Sequence, residues 1–316
     1  CLLSPPGDTP LMRRHKVKLI LNPNANMGGA WRVAADLRPI VEEFGGADWA
    51  GTVYPTHATE LAKQAAEEGY ELIIAAGGDG TTHEIINGLM QIPSDRRPRI
   101  GVIPLGSGND FAHGVGMKGG APESLRQIFT GKPRRIDIGV VEDDRGRREY
   151  IDNTLGIGFD AVVTIRSHTL PVLRGFLMYL TAVVQTIFVN HDAVRMQITT
   201  DEETWDEETL MLVVCNGPRE GGGFHVAPDA VPDDGLFHYA AITKVSRLMM
   251  FRLIPEVMNG THGRFKKVRM GHFREFELQA DQPLHIHIDG EIFAGFGTDV
   301  RKLKIEILPK ALEIVV

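Results

Sequence analysis

Three glycines enclose one carboxylate at Gly77-Gly78-Asp79-Gly80-Thr81, directly after the apolar run Leu72–Ala76 and directly before a helix-like pattern from Thr82 to Met90. Glycine lets backbone N–H groups approach an anion closely, and the start of a helix adds N–H groups that have no partner inside it. Bare phosphate would repel Asp79, so a carboxylate here implies a metal ion or a proton-transfer task beside the phosphates. A second turn, Gly106-Ser107-Gly108-Asn109-Asp110, follows the run Ile100–Pro104 and adds a hydroxyl and a second carboxylate. The pair reads as a nucleotide-phosphate site. Gly78 and Gly80 would face phosphate and Asp79 magnesium, while Thr81 or Thr82 caps the helix and binds a phosphate oxygen.

Two later stretches carry more carboxylates. In GGGFHVAPDAVPDDGL (residues 221–236), Asp233-Asp234-Gly235 reads either as a hairpin turn or as a hard-cation site built from a carboxylate and backbone carbonyls. In LHIHIDGE (residues 284–291), alternation sets Leu284, Ile286 and Ile288 on one face and His285, His287 and Asp289 on the other, a pattern ordinarily explained by a polar solvent face. A histidine pair two apart on a strand is also a metal-ligand arrangement. Asp289 and Glu291 flank Gly290, and a partly desolvated Glu291 with a raised pKa would serve as base toward an alcohol. Neither glycine turn runs into Gly-Lys-Ser/Thr, so the chain is not a P-loop NTPase, and it lacks the protein-kinase signatures.

The elements needed to position these groups are legible from periodicity. Val17–Leu21 reads as a buried strand ending at Asn22-Pro23, and Ala30–Phe44 as a helix with Trp31, Ala34, Leu37, Ile40, Val41 and Phe44 on its inner face. Gly51–Tyr54 is a strand candidate, and Thr56–Gly69 a helix capped by Thr56. Strands alternating with helices predict a layered parallel α/β sheet, and ligands bind at the carboxyl ends of such strands, where four turns converge. Beyond about residue 135 the texture turns to strands: 135–141, 150–155, 193–199, 210–215, 236–242, 273–279, 284–289 and 303–308, with helices near 172–190 and 245–260. This predicts a β-rich second domain, a sandwich or barrel-like sheet pair. The apolar stretch 170–189 contains Pro171, Arg174, Gly175 and Gln185, which argues against a spanning helix. It reads as a helix packed on its own domain, or as one flanking an apolar substrate's entrance or touching the bilayer surface.

The 316 residues suffice for two domains, and 43% hydrophobic with 24% charged is an ordinary globular composition. A net charge of −7 excludes the basic surplus of a nucleic-acid binder. Two cysteines, Cys1 and Cys215, predict no disulfide framework and a reducing cytoplasm. Residues 1–11 read as a disordered leader, with Met12 as the natural start. Arg145, Arg147 and Arg148, interspersed with acids, read as a solvated loop.

With GGDGT, GSGNDFA, GGGF…P…DDG and DGE in this order, the sequence resembles the diacylglycerol kinase catalytic-domain family, from about Lys16 to the C-terminus. The resemblance implies an α/β ATP-binding domain (residues 12–137, with about 304–316 returning to it), a β-sandwich lipid-substrate domain (138–303) and an active-site cleft between them. It implies ATP bound through Asn22, Pro23, Asn24, Ala25, Asn26, Thr56, Gly78, Asp79, Gly80, Thr81, Thr82, His83, Glu84 and Ser107. Mg2+ would be held in a water network by Asp79 and Asp110, and structurally by Asp234 with the carbonyls of Val231 and Leu236. Glu291 matches the family's general base with Asp289 beside it; in the related sphingosine kinases the aspartate at the position of Asp79 takes that role. Asp233–Asp234 and Asp289–Glu291 are thus expected to form the second domain's wall of the cleft. The first motif departs from the family pattern: Asn22-Pro23 is followed by Asn24-Ala25-Asn26-Met27, and the glycines come only at Gly28-Gly29. The implied reaction is ATP-dependent phosphorylation of a lipid hydroxyl, diacylglycerol to phosphatidic acid, by a cytoplasmic enzyme that visits the membrane surface. A sphingoid base or NAD as acceptor, a non-catalytic regulator, and a homodimer stay open.

Overall fold

The computed structural model describes residues 16–170 and 175–316, so the leader and Pro171–Arg174 lie outside the described residues, as do the side chains of Asn26 and Met27. Four parallel strands, β1 (Val17–Leu21), β2 (Asp48–Gly51), β3 (Leu72–Gly77) and β4 (Arg99–Pro104), lie in the order β2-β1-β3-β4. Helices α1 (Ala30–Glu43), α2 (His57–Glu67), α3 (Asp79–Leu89), α4 (Asp110–Gly114) and α5 (Ala121–Thr130) accompany them. The strands read as unbroken apolar runs because both faces are covered. In β3, Ile73 and Ala75 join a core with Ala62 and Ile85 of α2 and α3, while Ile74 and Ala76 join one with Leu37 and Leu125 of α1 and α5.

Three local expectations fail here. Trp31 is 61% exposed and rests over Gly51, so the buried face of α1 is Ala30, Ala34, Leu37, Ile40 and Val41. The second strand ends at Gly51; Val53 and Tyr54 are exposed rather than paired. Thr56 does not cap α2 through its hydroxyl: it sits in the left-handed region at φ 71°, and the Glu84 carboxylate from α3 accepts from the N–H groups of Thr56 (2.8 Å) and Ala58 (3.0 Å) instead.

The second half holds β5 (Pro133–Asp143), β6 (Arg148–Ile151), β7 (Thr154–Gly158), α6 (Phe159–Ser167), α7 (Gly175–Val189), β8 (Val194–Thr200), β9 (Thr204–Cys215), β10 (Phe237–Thr243), α8 (Arg247–Met258), β11 (Val268–Phe273), β12 (Glu275–Ala280), β13 (Ile286–Ile288), β14 (Glu291–Ala294) and β15 (Lys302–Val315). Residues of β5–β15 meet in one core that includes Leu212, Phe237, Phe273, Phe276, Ile286 and Ile305, which is the interior of a sandwich. The opposite face of β9 packs Val213 and Cys215 against α6, α7 and α8, which accounts for its unbroken apolar end. Cys215 is a buried free thiol. No helix among the described residues is long and apolar enough to cross a membrane.

One strand pair ties the halves together. β15 runs antiparallel to β5 from Leu303 opposite Asp143 to Val315 opposite Pro133, and its end pairs parallel with β4 at Ile314 and Ile100. The register breaks between Leu308 and Leu312. There the buried Asp137 carboxylate accepts from Lys310 N (2.7 Å) with one oxygen and from Gly235 N (2.7 Å) with the other. It holds the β15 bulge and the Asp233–Gly235 turn in place. Asp137→Ala leaves two backbone donors without that acceptor and should cost about 2–4 kcal/mol; urea denaturation showing less than about 0.5 kcal/mol would refute the role.

Candidate active site

The carboxyl ends of β1, β3 and β4 lie side by side, with Asn22 N donating to Ala76 O (3.0 Å) and Leu105 N to Gly77 O (2.7 Å). The two glycine turns that follow touch through their backbones: a Cβ on Gly106 would stand 2.5 Å from Gly78 Cα. No side chain fits between them, which is why both positions are glycine. Asn109, left-handed at φ 53°, accepts from Gly106 N (2.8 Å) and donates to Gly106 O (2.9 Å), closing the second turn on itself. Asn22 Nδ2 donates to Thr81 Oγ1 (3.0 Å), fixing the first turn of α3 to the end of β1.

A groove of about 900 Å³ runs along these turns, lined by Asn22, Asn24, Ala25, Thr52–Pro55, Gly78, Gly80, Thr81, Glu84, Gly106, Ser107, Gly175 and Glu291. A pocket of about 290 Å³ continues from it, sharing Gly78, Gly80, Gly106, Ser107 and Glu291 and adding Asp79, Asp110, Tyr179, Glu220, His287 and Asp289. Most of the expected nucleotide and catalytic residues are therefore brought together. Pro23, Thr56, Thr82 and His83 do not line the groove; Thr82 and His83 are buried behind the turn. Glu84 lines it, but both carboxylate oxygens are engaged by backbone N–H groups at the start of α2.

Asp79 and Asp110 face each other. A Cβ on Gly108 would lie 3.0 Å from an oxygen of each. Burial, then the charge of Asp110, raises the Asp79 pKa to about 7, against N–H groups such as that of Phe111, which donates at 3.2 Å. Burial also raises Asp110, opposed by the Gly222 N–H (2.9 Å) and by Arg219, whose Nε stands 2.9 Å from Oδ1 without hydrogen-bond alignment. Two buried carboxylates crowded together favour a cation, and all-oxygen donors suit a hard divalent ion such as Mg2+.

The Asp233–Gly235 turn does not form a cleft wall. Asp234, Val231 and Leu236 line neither the groove nor the pocket. Asp234 Oδ1 accepts from Leu236 N (2.9 Å) within its own turn, and Asp233 pairs with Arg134 at 3.5 Å. The turn packs on β5 through Asp137, so any ion held there would lie outside the groove and the pocket.

The DGE segment departs from the solvent-face expectation. His287 and Asp289 are buried, 2% and 6% exposed, whereas Glu291 is exposed at the cleft mouth instead of desolvated. Glu291 Oε1 would lie 2.5 Å from a Cβ on Gly80, so the candidate base sits directly against the phosphate turn. Asp289, left-handed at φ 51°, accepts from Asn153 N (2.9 Å) and Thr154 N (2.7 Å) at Oδ1, and from Asp152 N (3.0 Å) at Oδ2, where His83 Nδ1 also lies 2.9 Å away. Burial would raise its pKa, but the hydrogen bond and charge of His83 lower it. Asp289 is thus an ionised anchor of the turn that carries Glu291.

Sequence reading missed a second buried cluster on the same pocket. Tyr179 Oη is 2.7 Å from Asp160 Oδ1 and 2.5 Å from Glu220 Oε1, and His287 Nε2 is 2.7 Å from Asp160 Oδ2. Burial and the charge of Asp160 raise Glu220 to about 8; burial opposes a charged His287, yet Asp160 raises it to about 9. Their only sequence signals are single acids in otherwise apolar or glycine-rich runs, GIGFDAVV and REGGGF.

A family model described as the diacylglycerol kinase catalytic domain matches residues 16–141, and one described as the YegS C-terminal NAD kinase beta sandwich-like domain matches residues 153–316. A protein of Chromohalobacter salexigens named "Probable lipid kinase YegS-like" is 35% identical over 236 residues, 73% of each chain. The chain belongs to the diacylglycerol kinase catalytic-domain family. A protein of the same name from Serratia proteamaculans is 29% identical over 258 residues, 81% of this chain and 80% of its own. The fold matches a crystal structure described as that of a diacylglycerol kinase from Bacillus anthracis str. Sterne, with a TM-score of 0.72 at 20% identity over 96% of this chain and 97% of that one. Membership makes the protein a phosphotransferase with an alcohol acceptor, and a kinase of this family takes ATP as donor.

The touching turns yield a direct test. Gly106→Ala must push Gly78 away, so ATP affinity should fall at least about tenfold, a loss of ~1.4 kcal/mol, while the circular dichroism spectrum is kept. Unchanged affinity by calorimetric titration would mean the contact does not shape the phosphate cradle.

Proposed function

We propose that the enzyme phosphorylates a lipid hydroxyl, with diacylglycerol as acceptor and phosphatidic acid as product. The observation that carries this reading is that three spaces adjoin. The groove along the glycine turns leads into the pocket of Asp79 and Glu291, and Tyr179 and Glu220 on that pocket also line an apolar cavity of about 50 Å³ among Val183, Met211, Phe224, Ile242, Met250 and Leu253. A polar reaction site backed by an apolar slot between α7, α8 and the sheet suits an acceptor with a hydroxyl at one end and hydrocarbon at the other. The slot has room for a few methylenes, so the remaining chain would run along α7 and α8.

The domains then divide the work, residues 12–137 with about 304–316 handling ATP and 138–303 the lipid. The exposed Val53 and Tyr54 offer the purine an apolar rim. Backbone N–H groups of Gly78, Gly80 and Ser107 meet the phosphates. Asp79 and Asp110 would hold Mg2+, which when bound neutralises charge on the transferring phosphoryl group. Glu291 takes the proton from the acceptor oxygen as that oxygen bonds to the γ-phosphorus and the bond to ADP breaks. Its place beside Gly80 favours it over Asp79, whose carboxylate is committed beside Asp110.

The buried cluster supports a neutral acceptor. Asp160 and His287 form an ion pair, and burial with the charge of Asp160 raises the Glu220 pKa, which disfavours a further negative charge beside the acceptor. Dioleoylglycerol in mixed micelles with labelled ATP and Mg2+ should therefore yield labelled phosphatidic acid at least tenfold faster than sphinganine or NAD is labelled. A preference for sphinganine would overturn the neutral-lipid reading, and no labelled lipid from any hydroxylipid would overturn the reaction. Glu291→Gln should lower kcat by about 10²–10⁴ with the ATP KM unchanged; full activity would remove Glu291 as base.

A further inference from the structure

His83 lies one turn into α3 beyond the phosphate cradle, yet its side chain points away from the groove and into the junction with the second half of the molecule. Both ring nitrogens face carboxylate oxygens at 2.9 Å, Nδ1 at Asp289 and Nε2 at Glu149 of β6, and Asp152 Oδ1 is a further 3.4 Å contact of Nδ1. A neutral imidazole carries one N–H and could satisfy only one of these acceptors, so the pair of contacts calls for the imidazolium. Asn87 Nδ2 lies 3.4 Å from Nδ1 and 3.3 Å from Nε2, but its two N–H groups are taken by the closer main-chain oxygens of His83 (3.0 Å) and Tyr150 (3.2 Å), so it does not replace either contact. Both oxygens of Asp152 are buried without a hydrogen-bond partner of their own, and burial with the charge of Asp289 raises Asp152 well above the carboxylate range.

We infer that His83 is a positioning residue: its imidazolium clamps α3 to Asp289 and so sets Glu291 against Gly80. The chain of contacts is short. α3 begins with the phosphate turn, His83 stands on its second turn, Asp289 binds His83 and three backbone N–H groups of residues 152–154, and Glu291 follows Asp289 by two residues. The clamp thus fixes the distance between the group that holds phosphate and the group that receives the proton. It rests on the proposed role of Glu291, and the test separates the two.

The sign of its pH dependence follows from the facing groups, Asp289 from the end of β13, Asp152 from the turn before β7, and Glu149 from β6. Burial opposes the charged ring, but these three carboxyl groups raise the His83 pKa well above 6.5. The clamp is complete below the ordinary histidine range and is lost as pH rises through the raised value.

The experiment compares wild type, His83→Asn, Glu291→Gln and the double variant with ATP, Mg2+ and dioleoylglycerol micelles across pH 6–10. His83→Asn should lower kcat at least tenfold with ATP KM within twofold, flatten the alkaline fall in kcat, and leave Glu291→Gln no slower when combined with it. An equal loss in the Glu291→Gln background, or an unchanged alkaline limb, would overturn the clamp. His83→Gln serves as a second variant if Asn at this position fails to fold. Unaltered kcat in Glu291→Gln alone would remove the base assignment while the His83 pH profile still reports on the clamp.

Discussion

Asp289 is the fixed point on which the cleft depends. A buried carboxylate is tolerated only when its lone pairs are used and its charge is met, and here three backbone N–H groups and the His83 imidazolium do both. Its left-handed backbone, unusual outside glycine, is held by that same set of bonds and turns the chain so that Glu291 emerges toward the phosphate turn. On the opposite wall, the contact of Gly78 with Gly106 leaves no space for a side chain, so the cradle's shape is a packing fact before it is a chemical one.

The parts of the fold that sequence reveals best are those buried on two faces. β1, β3 and β4 are short apolar runs ended by Asn-Pro or glycine, and the structure has them at the predicted places because nothing else in the neighbourhood competes. α6 escaped notice: FDAVVTIRS is rich in β-branched residues, and its helix forms through burial of Phe159 and Val163 against β9 and the neighbouring helices rather than by local propensity. The strand candidate 150–155 splits into β6 and β7 at Asp152–Asn153, whose backbone turns to meet Asp289, a partner over 130 positions away in the chain.

Site residues were legible where glycine marked them and illegible where burial decided the role. Alternation correctly separates His287 and Asp289 from Ile286 and Ile288, but it cannot tell a solvent face from a face turned into a polar pocket. Asp160 and Glu220 meet only after α6 and the loop following β9 fold against β13, so no local pattern announces them. The same limit applies to the Asp233–Gly235 turn, which reads in sequence as a cation site on the cleft wall but packs on β5, with Gly235 N donating to Asp137 and Asp233 paired with Arg134.

The central claim is that the second half of the molecule delivers Glu291 to an acceptor hydroxyl held before the ATP γ-phosphate. A crystal structure with a non-hydrolysable ATP analogue, Mg2+ and a short-chain diacylglycerol tests it directly. The acceptor oxygen should lie within about 3 Å of a Glu291 carboxylate oxygen and face the γ-phosphorus. An acceptor oxygen bound by Asp79, with Glu291 turned to solvent, would contradict it.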